Sequence, residues 1–149
     1  MKKNTKKIFI GSDHRGVVLK KYISKNLEDK YEIIDLGAFQ EDSPTDYPDI
    51  AHAVSQKIKE HHQNSFGILI CSTGQGMAIT ANKHRHIRCA LCFQPAIAKM
   101  ARLHNNANVC SLGTSFFHPH EWHQFIEIVN VFLETDFEAG RHQKRIDKI

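Results

Sequence analysis

Five short apolar runs, over residues 7–12, 31–36, 66–71, 88–93 and 108–112, recur along the chain, and the connections between them carry Gly, Asp, Ser and Pro. Their length and β-branched content predict strands. Between them lie stretches whose apolar residues fall at helical spacing: Val17, Leu19, Ile23 and Leu27; Ile50, Ala53, Val54 and Ile58; Met77, Ile79 and Ala81; Ala96, Ile97, Met100, Ala101 and Leu103. A last stretch runs through Phe125, Ile126, Val129 and Leu133. Five such βα units predict an α/β fold: a doubly wound, Rossmann-like, five-stranded parallel sheet with helices on both faces, followed by a C-terminal helical tail.

A sheet of this kind binds ligands in the crevice beyond the carboxyl ends of its strands. The residues there are chemically rich. Ser12, Asp13 and His14 follow the first run, and Cys71-Ser-Thr-Gly-Gln-Gly76 follows the third. His104-Asn105-Asn106 ends the fourth helical stretch, just before the fifth strand.

The chain has 149 residues, 41% of them hydrophobic and 24% charged, which suits one domain over 1–149 with a substantial core. No apolar run approaches the roughly 20 residues of a membrane helix, and the basic start is followed by too short an apolar stretch for a secretory signal. The expected compartment is the cytoplasm. The formal net charge of +4 is carried by the ends: four lysines in residues 1–7 bring +4 and residues 141–149 bring +3, leaving residues 8–140 at −3. A mildly acidic body lacks the basic stripe of a nucleic-acid-binding domain. Residues 1–6 are a basic segment expected to fray, and residues 137–149 form a basic tail. Cys71, Cys89, Cys92 and Cys110 lie in or at the ends of apolar segments, as reduced thiols of a cytosolic protein do.

The segment from Cys71 to Gly76 leaves a buried-looking strand and opens a helix. Its two glycines permit close approach to a ligand, and the helix start offers unpaired N–H groups to an anion. A dinucleotide fingerprint needs a small residue where Ile79 stands, and a P-loop needs Lys-Ser/Thr where Met77-Ala78 stands, so neither nucleotide motif is present. Cys71 sits where a helix start favours thiolate, as a nucleophile or a proton-abstracting base, or else as a small buried hydrophobe. His14 and His104 are candidates for acid–base chemistry. His61, His62, His118, His120 and His123 read as solvated. A zinc site can be assembled from His84, His86, Cys89 and Cys92 only if residues 88–93 are not a strand, because residues three apart on a strand face opposite ways. Arg141 and Arg145 share a helical face, either as a phosphate clamp or as solvated charge.

Together these segments closely resemble the type B ribose-5-phosphate isomerases, within the ribose/galactose isomerase family. The resemblance runs from Ile8 to Ile149. It is carried by Gly11-Ser-Asp-His-Arg-Gly16, Thr45-Asp-Tyr-Pro48, Ile70-Cys-Ser-Thr-Gly-Gln-Gly76, Ala81-Asn-Lys83, His104-Asn-Asn-Ala-Asn-Val109 and Gly140-Arg-His-Gln-Lys-Arg145. The family interconverts an aldose phosphate and a ketose phosphate through an enediolate, without metal or other cofactor, in carbohydrate metabolism.

The resemblance implies that Cys71 moves the proton between C1 and C2, that Thr73 assists at the sugar oxygens, and that His104 opens the furanose ring. It implies that the amides of Ser72, Thr73, Gly74, Gln75 and Gly76 hold the enediolate oxygen. Asp13, Tyr47 and Asn105 would contact the sugar, and His14, Arg141 and Arg145 the phosphate. It also implies a homodimer with each site shared between subunits, leaving a further pairing of dimers open.

Three departures stand out: Ser72 replaces a usual Gly, Ala139 and His86 replace others, and Ser115 stands where many members have a phosphate-binding Arg. Arg85, Arg88 and Arg102 are candidates to replace it. The favoured substrate is ribose 5-phosphate. The alternatives are a hexose 6-phosphate, allose or galactose 6-phosphate, or a binding module with the same cleft and no turnover.

Overall fold

The computed structural model describes residues 5–149. Strands β1 (Lys7–Ser12), β2 (Glu32–Asp35), β3 (Ser65–Cys71), β4 (Cys89–Leu91) and β5 (Val109–Gly113) alternate with helices α1 (Val17–Leu27), α2 (Tyr47–Glu60), α3 (Gln75–Ala81), α4 (Pro95–Asn105) and α5 (His123–Glu134). A short α6 (Gln143–Ile146) closes the chain. The strands form one all-parallel sheet in the order β2-β1-β3-β5-β4. This is the doubly wound α/β fold predicted from the hydrophobic pattern.

Successive side chains of a strand face opposite sides, so each strand feeds two cores. Ile8, Ile10, Ile68, Ile70, Cys110 and Leu112 pack with Leu19, Ile23 and Leu27 of α1, Ala98 and Ala101 of α4, and Phe125 and Phe132 of α5. Phe9, Leu69, Cys71 and Val109 pack on the other face with Ile50, Val54 and Ile58 of α2 and Met77 and Ala81 of α3. The chain leaves β1 toward β2 on one side and returns to β3 on the other. The switch point therefore lies between the carboxyl ends of β1 and β3, where Ser12 is in register with Ile70.

Three helices turn differently from their apolar spacing. In α4 the buried face is Ala98, Ala101 and Arg102, while Ala96, Ile97 and Met100 are exposed. On α3, Ile79 is 61% exposed, and on α2 Ala53 faces solvent. The reason on α4 is Arg102. Its guanidinium lies over the rings of Phe66 and Phe132 at 4.8 and 5.8 Å and donates to Thr135 O, Asn106 Oδ1 and Ala107 O. It ties α4, the β5 approach and the start of the tail together. Burial is tolerable for this charge because three acceptors and two ring faces replace water.

Of the N-terminal segment expected to fray, residues 1–4 lie outside the described residues. Lys6 is anchored, its Nζ donating to Leu133 O at 2.8 Å. At the other end the tail is tied by the Glu138 N–H to Leu103 O at 3.1 Å. No helix among the described residues is long and apolar enough to cross a membrane.

Candidate active site

The loop after β3 is built around Cys71. Its side chain is 5% exposed, on the α2–α3 face of the sheet, and the Gly74 N–H donates to its Sγ at 3.1 Å. An N–H aimed at sulfur stabilises negative charge there. Gly74 reaches this position in the left-handed region, at φ 74°, and a Cβ on it would lie 2.5 Å from Leu91 Cδ1 and 3.0 Å from the Leu112 carbonyl carbon. Glycine is required on both counts. The Gly74 carbonyl accepts from Ser111 Oγ at 2.6 Å, which fixes the loop to β5. Thr73 Oγ1 accepts from the Gln75 N–H at 3.3 Å, and both residues are exposed at the start of α3. Gly76 packs flat against Tyr47, whose ring would be 2.6 Å from any added Cβ.

Asp13 and His14 meet this loop across the switch point. The Asp13 N–H bonds Ile70 O, and its Oδ1 caps the following turn by accepting from the N–H groups of Arg15 and Gly16. His14 Nδ1 accepts from the Thr45 N–H at 3.1 Å, so in the neutral ring the proton sits on Nε2. His14, Arg15, Glu41, Ser72 and Thr114 line an open cavity of about 450 Å³. Its size suits a phosphorylated sugar.

Ser115 acts here in a way the sequence did not disclose. Its Oγ and N–H both donate to Ser72 O, at 2.7 and 3.0 Å, so it braces the cysteine loop. Two of the arginines considered as its substitutes have structural work instead. Arg102 is buried as described, and Arg88 Nε donates to Asn105 O and Asn106 O, closing the end of α4. Arg85 is exposed on the turn after α3.

The remaining candidates lie elsewhere. Cys71 ends β3, whereas His104 and Asn105 end α4, which leads into the amino end of β5; Gly67 pairs with Val109 there and Cys71 with Gly113 at the far end. Four residues of strand separate the two edges, roughly 13 Å. Arg141 and Arg145 belong to the tail that packs on the α4 end, and both are exposed. One chain thus places Asp13, His14, Tyr47 and residues 71–76 at the carboxyl edge of the sheet, and His104, Asn105, Arg141 and Arg145 at the amino edge.

The His104 ring stacks on His142, centroids 4.2 Å apart and planes 19° apart, and Glu138 Oε2 lies 3.9 Å from His104 Nε2 and 3.8 Å from His142 Nε2. His142 is buried at 4% exposure, and burial, with His104 and Arg141 beside it, holds its ring below the ordinary imidazole range. Sequence reasoning passed over Glu138 and His142, although His142 lies inside the Gly140–Arg145 motif. All four cysteines are unpaired. Cys92 lies just past β4 against Cys110, whose thiol is pushed up by a hydrogen bond with Cys92 and by burial. Among the described residues, His84, His86, Cys89 and Cys92 do not assemble into a ligand cluster; His84 pairs with His52 at 2.7 Å, and His86 with Ser55 O.

A family model described as Ribose/Galactose Isomerase matches residues 8–149. The chain is 46% identical over 143 residues to a probable ribose-5-phosphate isomerase B of Mycoplasma genitalium, covering 95% of this chain and 92% of that protein. Among solved structures, a ribose 5-phosphate isomerase from Thermotoga maritima superposes with a TM-score of 0.91 at 42% identity, covering 97% of each chain. The Mycoplasma genitalium ribose-5-phosphate isomerase B with bound ribulose-5-phosphate superposes with a TM-score of 0.89 at 45% identity, covering 95% of this chain and 92% of that one. With the fold and nearly the whole length matched, the chain belongs to the ribose/galactose isomerase family and is an isomerase.

Proposed function

We propose that the chain interconverts D-ribose 5-phosphate and D-ribulose 5-phosphate through an enediolate, with Cys71 as the base. The carrying observation is the Cys71 thiol at the switch point, its Sγ receiving the Gly74 N–H and the Asp13–His14 turn beside it. The relative with bound ribulose-5-phosphate supports the substrate class. Sγ removes the proton from C2 of the open-chain aldose, and the electron pair moves to O1. N–H groups of residues 72–76 hold the oxygen where charge develops, the setting in which preorganised donors act most strongly. Return of the proton to C1, with transfer of the O2 proton to O1, gives the ketose. Thr73 Oγ1 assists at the sugar oxygens. Asp13 offers its second carboxylate oxygen to a sugar hydroxyl, and Tyr47 flanks the cleft.

His104, Asn105, Arg141 and Arg145 lie at the opposite edge from their chain's own cradle, so a complete site needs a second copy. We infer a homodimer in which these residues of one subunit open the ring and hold the phosphate at the other's Cys71, with His14 Nε2–H as a further phosphate donor. Exposed Ile79, Ile97, Met100 and Phe93, on and beside α3 and α4, supply apolar surface suited to such contact. On the same resemblance the reaction belongs to the non-oxidative pentose phosphate pathway, in the cytoplasm.

The test is turnover of ribose 5-phosphate in chelator-containing buffer, beside allose 6-phosphate and galactose 6-phosphate, for wild type and Cys71→Ala. The pentose phosphate is expected to turn over and Cys71→Ala to abolish it while sugar-phosphate binding survives. Wild-type rates from Cys71→Ala would refute the base, preference for a hexose phosphate would replace the substrate, and binding without turnover would leave a binding module.

A further inference from the structure

We propose that His104, Glu138 and His142 form a site for a borderline divalent cation, Zn²⁺ above all, whose occupation takes His104 out of proton transfer. The second half rests on the reading that His104 opens the sugar ring. The three donor atoms lie within 4.8 Å of one another, the carboxylate oxygen 3.9 and 3.8 Å from the two ring nitrogens. Donors around a tetrahedral zinc, at about 2.0–2.2 Å from the metal, stand about 3.4 Å apart. Closing onto a metal therefore asks for about half an ångström from the Glu138 contacts and up to about 1.4 Å between the two ring nitrogens. The Glu138 side chain is 51% exposed and free to supply its part.

The second observation is His142 itself. The ring is 4% exposed, yet its Nε2 has no hydrogen-bond partner. A buried nitrogen without a partner is costly, and here it is directed at a carboxylate too distant for a hydrogen bond. A cation between them would satisfy both. The His104–His142 stack lays the rings face to face, so a shared cation asks one ring to tilt, and the backbone holds the set: the Glu138 N–H bonds Leu103 O at 3.1 Å and the His142 N–H bonds Ala139 O at 3.0 Å.

Two imidazoles and one carboxylate are the donor set of open zinc sites, leaving a fourth position for water. Two nitrogens among three donors disfavour Ca²⁺ and Mg²⁺, which take oxygen. The competing histidine pair, His52 and His84, is already joined nitrogen to nitrogen at 2.7 Å.

The experiment titrates the full-length protein with Zn²⁺ alone against a chromophoric chelator, in wild type and in a Cys71→Ala background that removes the thiol of the cleft. One tight Zn²⁺ per chain is expected in both. Losing even an outer partner of a metal ligand costs about 10–100-fold in affinity, and Glu138 and His142 are themselves the donors, so Glu138→Gln and His142→Ala should each weaken binding at least about tenfold, and His52→Ala should not. In kinetics, Zn²⁺ should slow wild type reversibly, with chelator restoring the rate. Glu138→Gln should need at least about tenfold more Zn²⁺ for the same fractional loss from its own zinc-free rate. Absent stoichiometric binding, or binding indifferent to both Glu138→Gln and His142→Ala, overturns the site. Binding as expected with undiminished turnover keeps the cation site and removes His104 from ring opening.

Discussion

Gly74→Ala is the sharpest probe of the cysteine loop, because one added methyl acts on backbone geometry and sulfur environment together. An L-residue in the left-handed region costs about 1–2 kcal/mol, and Gly74 stands at φ 74°. The methyl also meets Leu91 Cδ1 at 2.5 Å, which a side-chain rotation relieves, and Leu112 backbone atoms at 3.0 and 3.2 Å, which β5 holds in place. That contact adds about 1–2 kcal/mol of overpacking. The sum, about 2–4 kcal/mol, lowers Tm by roughly 4–16 °C in a domain of this size. The loop escapes the clash only by moving away from β5, which opens the 2.6 Å Ser111 bond and carries the Gly74 N–H from Cys71 Sγ. Loss of a charge-assisted hydrogen bond to the thiolate, about 1.5–3 kcal/mol, costs about 10–150-fold in kcat, with KM little changed. Thermal melts and steady-state kinetics on the same preparation read both effects. A melt within about 2 °C of wild type together with kcat within about twofold would refute the argument. A lowered Tm with wild-type kcat would keep the geometry and deny the N–H its catalytic part.

Mixing Cys71→Ala with His104→Ala subunits, each inactive alone, should restore about a quarter of wild-type activity, since half of randomly paired dimers carry one intact site. No recovery after verified subunit exchange would place the whole site within one chain. Arg102→Met strands the carbonyls of Thr135 and Ala107 and should cost about 2–6 kcal/mol in denaturant unfolding with KM unchanged; a stable variant with sharply raised KM would make Arg102 a phosphate ligand. For pH, burial first, then His52, His86 and Lys59, hold His84 below the ordinary range, and His142 is lowered likewise. Their unfolded forms take up protons near pH 6.5 that the native rings resist, so stability is undiminished above that pH and falls as pH drops below it. Melts from pH 7.5 to 5 test this, and a flat or rising Tm on acidification would contradict it.

What the sequence disclosed and what it hid follow from the range of the interactions. Strand positions, sheet class and the cradle from Cys71 to Gly76 depend on periodicity and local turn chemistry, which a short window carries. The division of the candidate residues between the two edges of the sheet is a matter of topology. His104 and Cys71 both border β-strands, but one precedes β5 and the other follows β3, and in a parallel sheet those are opposite poles. Motif matching alone treats them as one constellation. Ser115 looked like a lost phosphate ligand because its two bonds to Ser72 O span 43 residues of chain. Arg102 looked like a free cation on an apolar helix, and its face of α4 was misjudged, because its acceptors lie on the tail and on the approach to β5. The misread positions share one cause. Each is a polar group with a partner that hydrophobic spacing does not register, Ser72 for Ser115 and Thr135 for Arg102, so that spacing predicted a buried stripe of Ile97 and Met100 where the fold buries a guanidinium and leaves those apolar side chains outside. An apolar surface released in this way, on the helix whose last turn carries His104, is what the proposed homodimer requires: under that proposal the contact that covers α4 would be the one that brings His104 to a neighbour's cysteine.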